Sequence, residues 1–230
     1  MPVHIKPTAP LAERVLLPGD PGRALRLAQS LLEEPRMFNH ERGLWGYTGA
    51  AADGGPLTIQ SSGMGGPSAA IVVTELAELG ARRLIRVGTC GALDPSLELG
   101  ALLVVSEALA VDGASRGLGA GERAAPDSAL LAALRDGGEA SEALVASTDL
   151  FYAGDDEALK DAGAEAVEME SATLFTLARR LGLAAGSVLI VSDTIFPNRT
   201  RIDPDLLVKA EVGAGELATR ALCVTAETAP

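Results

Sequence analysis

The chain has 230 residues, 47% hydrophobic and 22% charged, which supplies apolar material for one large core and fits a single α/β domain over 1–230. Its formal charge of −12 at pH 7 repels nucleic-acid backbones and anionic lipid, so an anionic ligand has to be small and held by arginines that focus positive charge locally. Two cysteines, Cys90 and Cys223, in no C-x-x-C, and two histidines, His4 and His40, offer neither a disulfide framework nor a ligand set for metal catalysis. The longest apolar runs fall far short of the roughly 20 residues that span a bilayer, and no charged-then-apolar leader opens the chain, so the expectation is a soluble, cytoplasmic protein.

In chain order, strand-like apolar runs recur, each followed by a glycine-containing or polar turn and a segment of helical period, as in an α/β layered fold. Residues 15–17 precede P-G-D-P-G, and then Ala24, Leu25, Ala28, Leu31 and Leu32 mark one helical face. Residues 57–61 lead into G-M-G-G-P-S at 63–68, after which Ile71, Val72, Leu76 and Leu79 read as the buried side of a second helix. A strand at 84–87 runs straight into G-T-C-G, and 102–106 is another. The glycine- and charge-rich stretch 113–126 reads as a surface excursion without chemistry. A short strand at 166–169 opens onto a helix at 171–181, and a last strand at 187–191 ends at Ser192 and Asp193. F-P-N-R-T-R-I-D-P-D at 196–205 reads as a loop before a closing helix.

In open α/β sheets ligands bind where strands end and helices begin, because backbone N–H groups and helix dipoles converge there. Four polar clusters fall at such ends. Gly19-Asp20-Pro21-Gly22-Arg23 is either an anion site with bare N–H donors and Arg23 folded over it, or an ordinary turn capped by Asp20. Arg86 interrupts the buried run L-I-R-V-G, so its guanidinium needs either a carboxylate or an anionic ligand. Thr89, Gly88 and Gly91 beside it let backbone approach a phosphate, while Cys90, with no nearby histidine in sequence, reads as a small packing residue. Alternation puts Glu168 and Glu170 on one face and Met169 on the other, where a carboxylate can accept from a vicinal diol or simply complement a helix dipole. Asp193 ends V-L-I-V-S-D in partly dry surroundings that suit a general acid, although an aspartate there also serves as a cap or turn former.

No G-x-x-x-x-G-K-S/T, dinucleotide G-x-G-x-x-G, G-x-S-x-G or H-E-x-x-H occurs. Instead, seven segments in register resemble the nucleoside phosphorylase-I family, specifically its hexameric bacterial purine nucleoside phosphorylases and their uridine phosphorylase relatives. They are L-L-P-G-D-P-G-R at 16–23, R-G-L-W-G-Y-T-G at 42–49, G-M-G-G-P-S-A-A-I at 63–71, R-V-G-T-C-G-A-L at 86–93, D-L-F-Y at 149–152, E-M-E-S-A at 168–172 and V-S-D at 191–193.

The resemblance implies a three-layer α/β/α sandwich around a mixed, barrel-like central sheet. It implies phosphate held by Gly19, Arg23, Arg86 and Thr89, with Arg42 entering from a neighbouring subunit. Ribose falls to Met169, Glu170 and Met64, with His4 from the partner, and the base to Cys90, Gly91, Phe151, Val167, Glu168, Ser192 and Asp193. A shared site of this kind implies self-association, as a homohexamer built as a trimer of dimers. The reaction implied is reversible phosphorolysis of a purine ribonucleoside or deoxyribonucleoside, with Asp193 giving a proton to N7 and with no metal or organic cofactor. Uridine-specific members carry Gln-x-Arg shortly after the F-Y segment, where this chain reads A-G-D-D-E, which favours purine. One position departs from the purine enzymes: their final helix often carries an arginine that assists the aspartate, and the ungapped match here is Leu206, leaving Arg199 or Arg201 of the loop as substitutes. Uridine phosphorolysis, a nucleosidase using water, and a catalytically silent nucleoside-binding protein are the alternatives.

Overall fold

The computed structural model describes residues 2–138, 140–152 and 155–224. Its elements run β1 (Arg14–Pro18), α1 (Pro21–Leu31), β2 (Glu33–Asn39), β3 (Gly46–Ala50), β4 (Pro56–Gln60), α2 (Gly66–Leu79), β5 (Arg83–Ala92), β6 (Leu102–Ala110), α3 (Gly113–Gly117), β7 (Arg123–Ala124), α4 (Ser128–Asp136), β8 (Ser141–Ser147), α5 (Asp156–Asp161), β9 (Ala166–Glu168), α6 (Ser171–Leu181), β10 (Ala184–Thr194), β11 (Thr200–Arg201) and α7 (Pro204–Val224).

Strand β5 organises the sheet. Along one edge it pairs in parallel with β10 over its whole length; along the other, its first half pairs with β1 and its last residues with β9. Because β10 continues to β6, β6 to β8 and β8 to β9, the strands β5, β10, β6, β8 and β9 close into a ring. The first half of β5 instead leads outward through β1, β4 and β3 to β2. Where β1 and β9 part company, at Gly88 and Thr89, the sheet opens a crevice at the carboxyl end of β1, the place where α/β sheets receive ligands.

The strands around β5 are covered on both faces, so they read as continuous apolar runs. Leu17, Leu84, Leu103, Leu189 and Val191 face a core shared with Val72, Val73 and Leu76 of α2 and Leu174, Phe175 and Ala178 of α6. Leu16, Ile85, Val87, Val104, Val188 and Ile190 face the opposite core, with Ala24 and Leu27 of α1, Leu130 and Leu134 of α4, and Leu217 and Ala221 of α7. The result is the three-layer architecture with a barrel-like sheet that the sequence implies.

Three local expectations are corrected. Ile71 is 41% exposed, because α2 buries the stripe Ala69, Val72, Val73 and Leu76, and Ile71 lies a quarter-turn off it. The stretch 113–126 is not only a surface excursion: fully buried Asp112 caps α3 through Ser115 N at 2.7 Å and accepts from Thr173 Oγ1 of α6 at 2.8 Å. Within the expected loop 196–205, β11 pairs with Asp193 and Thr194, and α7 already begins at Pro204.

Candidate active site

The crevice is a cavity of about 380 Å³ lined by residues from the ends of β1, β5, β9 and β10. Gly19, Arg23, Met64, Arg86, Thr89, Cys90, Gly91, Phe151, Val167, Glu168, Met169, Glu170, Ser192 and Asp193 all reach its wall. Of the residues that the resemblance assigns to phosphate, ribose or base, only His4 and Arg42 do not. The wall also includes Asp20, Gly63, Leu150 and Asp156, which lie within the quoted motifs but had no ligand role assigned, Thr148 and Ile195, which lie outside them, and Arg199 from the loop.

At one end lie two buried arginines. The turn after β1 is capped: Asp20 accepts from the backbone N–H groups of Gly22 and Arg23 at 3.1 and 2.7 Å, so these donors are not bare. Arg23 instead offers its side chain, anchored from Nε to Glu211 Oε1 at 2.8 Å and from Nη1 to the Val87 carbonyl at 3.2 Å. Arg86 lies between two carboxylates, with Nε 3.1 Å from Glu168 Oε2 and Nη2 2.5 Å from Glu170 Oε2. Burial favours loss of the Arg86 proton, but the two carboxylates outweigh it and hold the guanidinium more firmly charged. Gly88 is obligatory here, since a Cβ would stand 2.5 Å from the guanidinium carbon of Arg86.

The two glutamates differ in how they are satisfied. The Glu168 carboxylate accepts from Ser147 Oγ, from Glu170 N at 2.9 Å and from Ser171 N at 3.0 Å as well as from Arg86, so it ties β8, β9 and the start of α6 to β5. Glu170 takes Gly65 N at 2.5 Å and Arg86, and burial pushes its pKa above the ordinary carboxylate range, with Arg86 opposing and Glu168 adding to the rise.

Asp193 marks the other end. The β10–β5 register slips between Val191 and Asp193, and this bulge places Ser192 as the extra residue and aims Asp193, only 6% exposed, into the cavity. Ser192 Oγ donates to Asp193 Oδ1 at 3.0 Å, and Arg199 Nη1 stands 3.6 Å from Oδ2. Arg201 lies opposite Asp193 in backbone register, but it is the guanidinium of Arg199 that approaches the carboxylate. Leu206, on α7, is 45% exposed and not on the cavity wall. Burial pushes the Cys90 thiol up, as do Glu168 and Asp193 against the pull of Arg86, which leaves it a packing group rather than a nucleophile. Of the A-G-D-D-E stretch, Ala153 and Gly154 lie outside the described residues.

His4 and Arg42 sit away from this wall. Glu75 of α2 gathers the backbone N–H groups of Val3, His4 and Ile5 at 3.1, 2.9 and 2.7 Å, and His4 Nδ1 at 2.7 Å, which pins the N-terminal segment to the helix. Arg42 is exposed, in the left-handed conformation at φ 57°, and among the described residues it has no carboxylate partner. No group of three or more His, Cys, Asp and Glu side chains among the described residues is arranged to hold a metal ion, and no helix there is long and apolar enough to cross a membrane.

Comparison with known proteins agrees with this geometry. The purine nucleoside phosphorylase DeoD-type of Geobacillus kaustophilus is 40% identical over 207 residues, covering 85% of this chain and 87% of that protein. That of Caldanaerobacter subterraneus subsp. tengcongensis is 36% identical over 207 residues, covering 85% and 89%. A crystal structure of uridine phosphorylase from Vibrio fischeri ES114 superposes with a TM-score of 0.83 at 27% identity, covering 93% of this chain and 92% of that one. The model of the phosphorylase superfamily matches residues 13–222, and with most of its length and its whole crevice inside that match, the chain belongs to this superfamily.

Proposed function

We propose that the chain is a purine nucleoside phosphorylase, a pentosyltransferase that uses inorganic phosphate to cleave the glycosidic bond of purine ribo- or deoxyribonucleosides. The products are the free base, for salvage, and α-pentose 1-phosphate. The observation that carries this reading is one cavity with buried arginines at one end and a buried carboxyl at the other. From Arg86 to Gly91, the residue opposite Asp193, strand β5 advances roughly 16 Å at the usual rise, room for phosphate, sugar and base in line. The relatives named for purine nucleosides support the purine over the uridine reading, as does chemistry, because a pyrimidine offers Asp193 no N7.

In this reading Gly19, Arg23, Arg86 and Thr89 hold phosphate, and Met64, Met169 and Glu170 hold the sugar. The base slot is formed by Cys90, Gly91, Phe151, Val167 and Ser192, with Glu168 acting chiefly by orienting Arg86 and Glu170. Phosphate attacks the anomeric carbon as the glycosidic bond lengthens, its charge stabilising the cationic sugar, and Asp193 protonates N7 so that the base leaves neutral. No metal or organic cofactor takes part.

Phosphate binding needs a further cation. Around the buried arginines, Arg23, Arg26 and Arg86 already face Asp20, Glu168, Glu170 and Glu211, so a phosphate dianion adds to a local excess of negative charge. Arg42 of a second copy, without a carboxylate partner among the described residues, supplies that charge and His4 of the same copy reaches the sugar, in a cytoplasmic homohexamer assembled as a trimer of dimers. The test is a nucleoside panel including uridine, with and without phosphate, followed by product chromatography. Phosphate-dependent release of purine with pentose 1-phosphate is expected; equal rates in phosphate-free buffer with free ribose would make the protein a nucleosidase.

A further inference from the structure

We propose that Arg199 is a specificity-determining residue that selects 6-oxopurine nucleosides, the inosine and guanosine class, over 6-aminopurine nucleosides. The proposal rests on the purine reading and on Asp193 meeting N7. It starts from a contrast among the three cavity arginines. Arg23 and Arg86 have donors committed to carboxylate or carbonyl oxygens at 2.5 to 3.2 Å. Arg199 makes only longer ion pairs, Nη1 to Asp193 Oδ2 at 3.6 Å and Nη2 to Asp156 Oδ2 at 3.8 Å, and its guanidinium stands 5.4 Å over the Phe151 ring. It is held in place by charge and ring while, among the described residues, its N–H groups have no acceptor closer than these carboxylates.

N7 and the substituent on C6 are neighbours on one edge of a purine. In a 6-oxopurine both are acceptors; in a 6-aminopurine N7 accepts but the amino group donates. Asp193 and Arg199 meet that edge as a pair. On Asp193, Oδ1 is held by Ser192, while Oδ2 faces both Arg199 and the bare Cα of Gly91, where a Cβ would stand 3.5 Å from it and 2.9 Å from Ile195 Cδ1. A base slotted beside Gly91 with N7 at Asp193 Oδ2 therefore brings its C6 substituent to Arg199. A guanidinium is a donor only. It completes a 6-oxo group with a charge-assisted hydrogen bond, and it opposes a 6-amino group donor to donor, so that neither group serves as the other's acceptor.

The experiment compares kcat/KM for inosine and adenosine at saturating phosphate in the full-length enzyme and in Arg199→Leu and Arg199→Lys. The wild-type enzyme is expected to favour inosine by roughly ten-fold or more, the discrimination of one good base-edge contact. Arg199→Leu should bring that ratio close to one, and Arg199→Lys, a point charge without the planar fork, should keep part of it. An effect exerted only through Asp193 lowers both substrates by the same factor and leaves the ratio unchanged, so an unchanged ratio overturns the proposal, as does a wild-type preference for adenosine. Calorimetric titration with free hypoxanthine and free adenine reads the same contact without catalysis. Equal affinity of the wild-type protein for the two bases overturns this proposal alone, whereas a hypoxanthine preference lost in Arg199→Leu, in a protein that cleaves no nucleoside, upholds the contact and overturns the reaction.

Discussion

Arg86 couples the packing of the fold to the wall of the cavity. Its place in an apolar strand demands a partner, and the structure supplies Glu168 and Glu170 on one side and the cavity on the other. Arg86→Ala removes the charge that both carboxylates share. It should cost about 3–5 kcal/mol in chemical denaturation as well as phosphorolysis, since two buried carboxylates then lose their cation. Asp193→Asn is different in kind. Ser192 and Arg199 still meet an amide of the same shape, so the melting temperature should stay near that of the wild type, while the chemical step for inosine falls by roughly 10²–10⁴-fold for want of an ionisable proton. For 7-methylated purine nucleosides, whose base already carries the charge, the loss should be much smaller. Equal losses for both substrates would make Asp193 a positioning group.

Among the elements, β10 places one end of the candidate site and α2 fixes the N-terminal segment. The bulge at Ser192 turns a carboxyl that a regular strand would direct elsewhere into the cavity, and nothing in V-L-I-V-S-D announces the slip. On α2, Glu75 anchors the N-terminal segment through donors from three successive residues and the His4 ring. Burial pushes its carboxyl up, but these donors prevail and hold it at about 2, below the ordinary 4.5. A carboxylate with a depressed folded-state pKa contributes stability that is complete above its unfolded value and fades as pH falls from about 4.5 towards about 2. Glu75→Gln should therefore be less stable than the wild type at pH 7, and urea titrations should show the gap closing across that acidic window. Hydrogen exchange of residues 3–5 should quicken in the variant.

For the whole molecule, the proposed sharing of the site between chains rests on charge. The four carboxylates near the buried arginines leave a single chain poorly fitted to bind a dianion, whereas Arg42 is exposed and unpaired among the described residues. Arg42→Ala should thus leave stability within about 0.5 kcal/mol of the wild type, as for other partnerless surface residues, yet sharply weaken phosphate binding. Mixing inactive Arg42→Ala protein with inactive Asp193→Asn protein should restore part of the activity once subunits exchange, because one class of site then has both residues intact. No recovery in verified hybrids would show that each chain builds its site alone.

The sequence by itself determined the α/β class, the strand ends at which polar clusters gather, and most of the residues that line the cavity, because these depend on local period and on a buried arginine's need for a partner. Tertiary structure alone decided that Asp20 caps its helix rather than leaving donors bare, and that Glu168 is saturated by four donors. It also decided that Arg199, rather than Arg201 or Leu206, stands over Asp193. The edge strand E-E-P-R-M-F-N was illegible for a related reason: its first residues are exposed, and its last two are buried by β3 and the N-terminal segment, not by any alternation of their own. Such features depend on which distant segments meet, and no window of neighbouring residues contains that information.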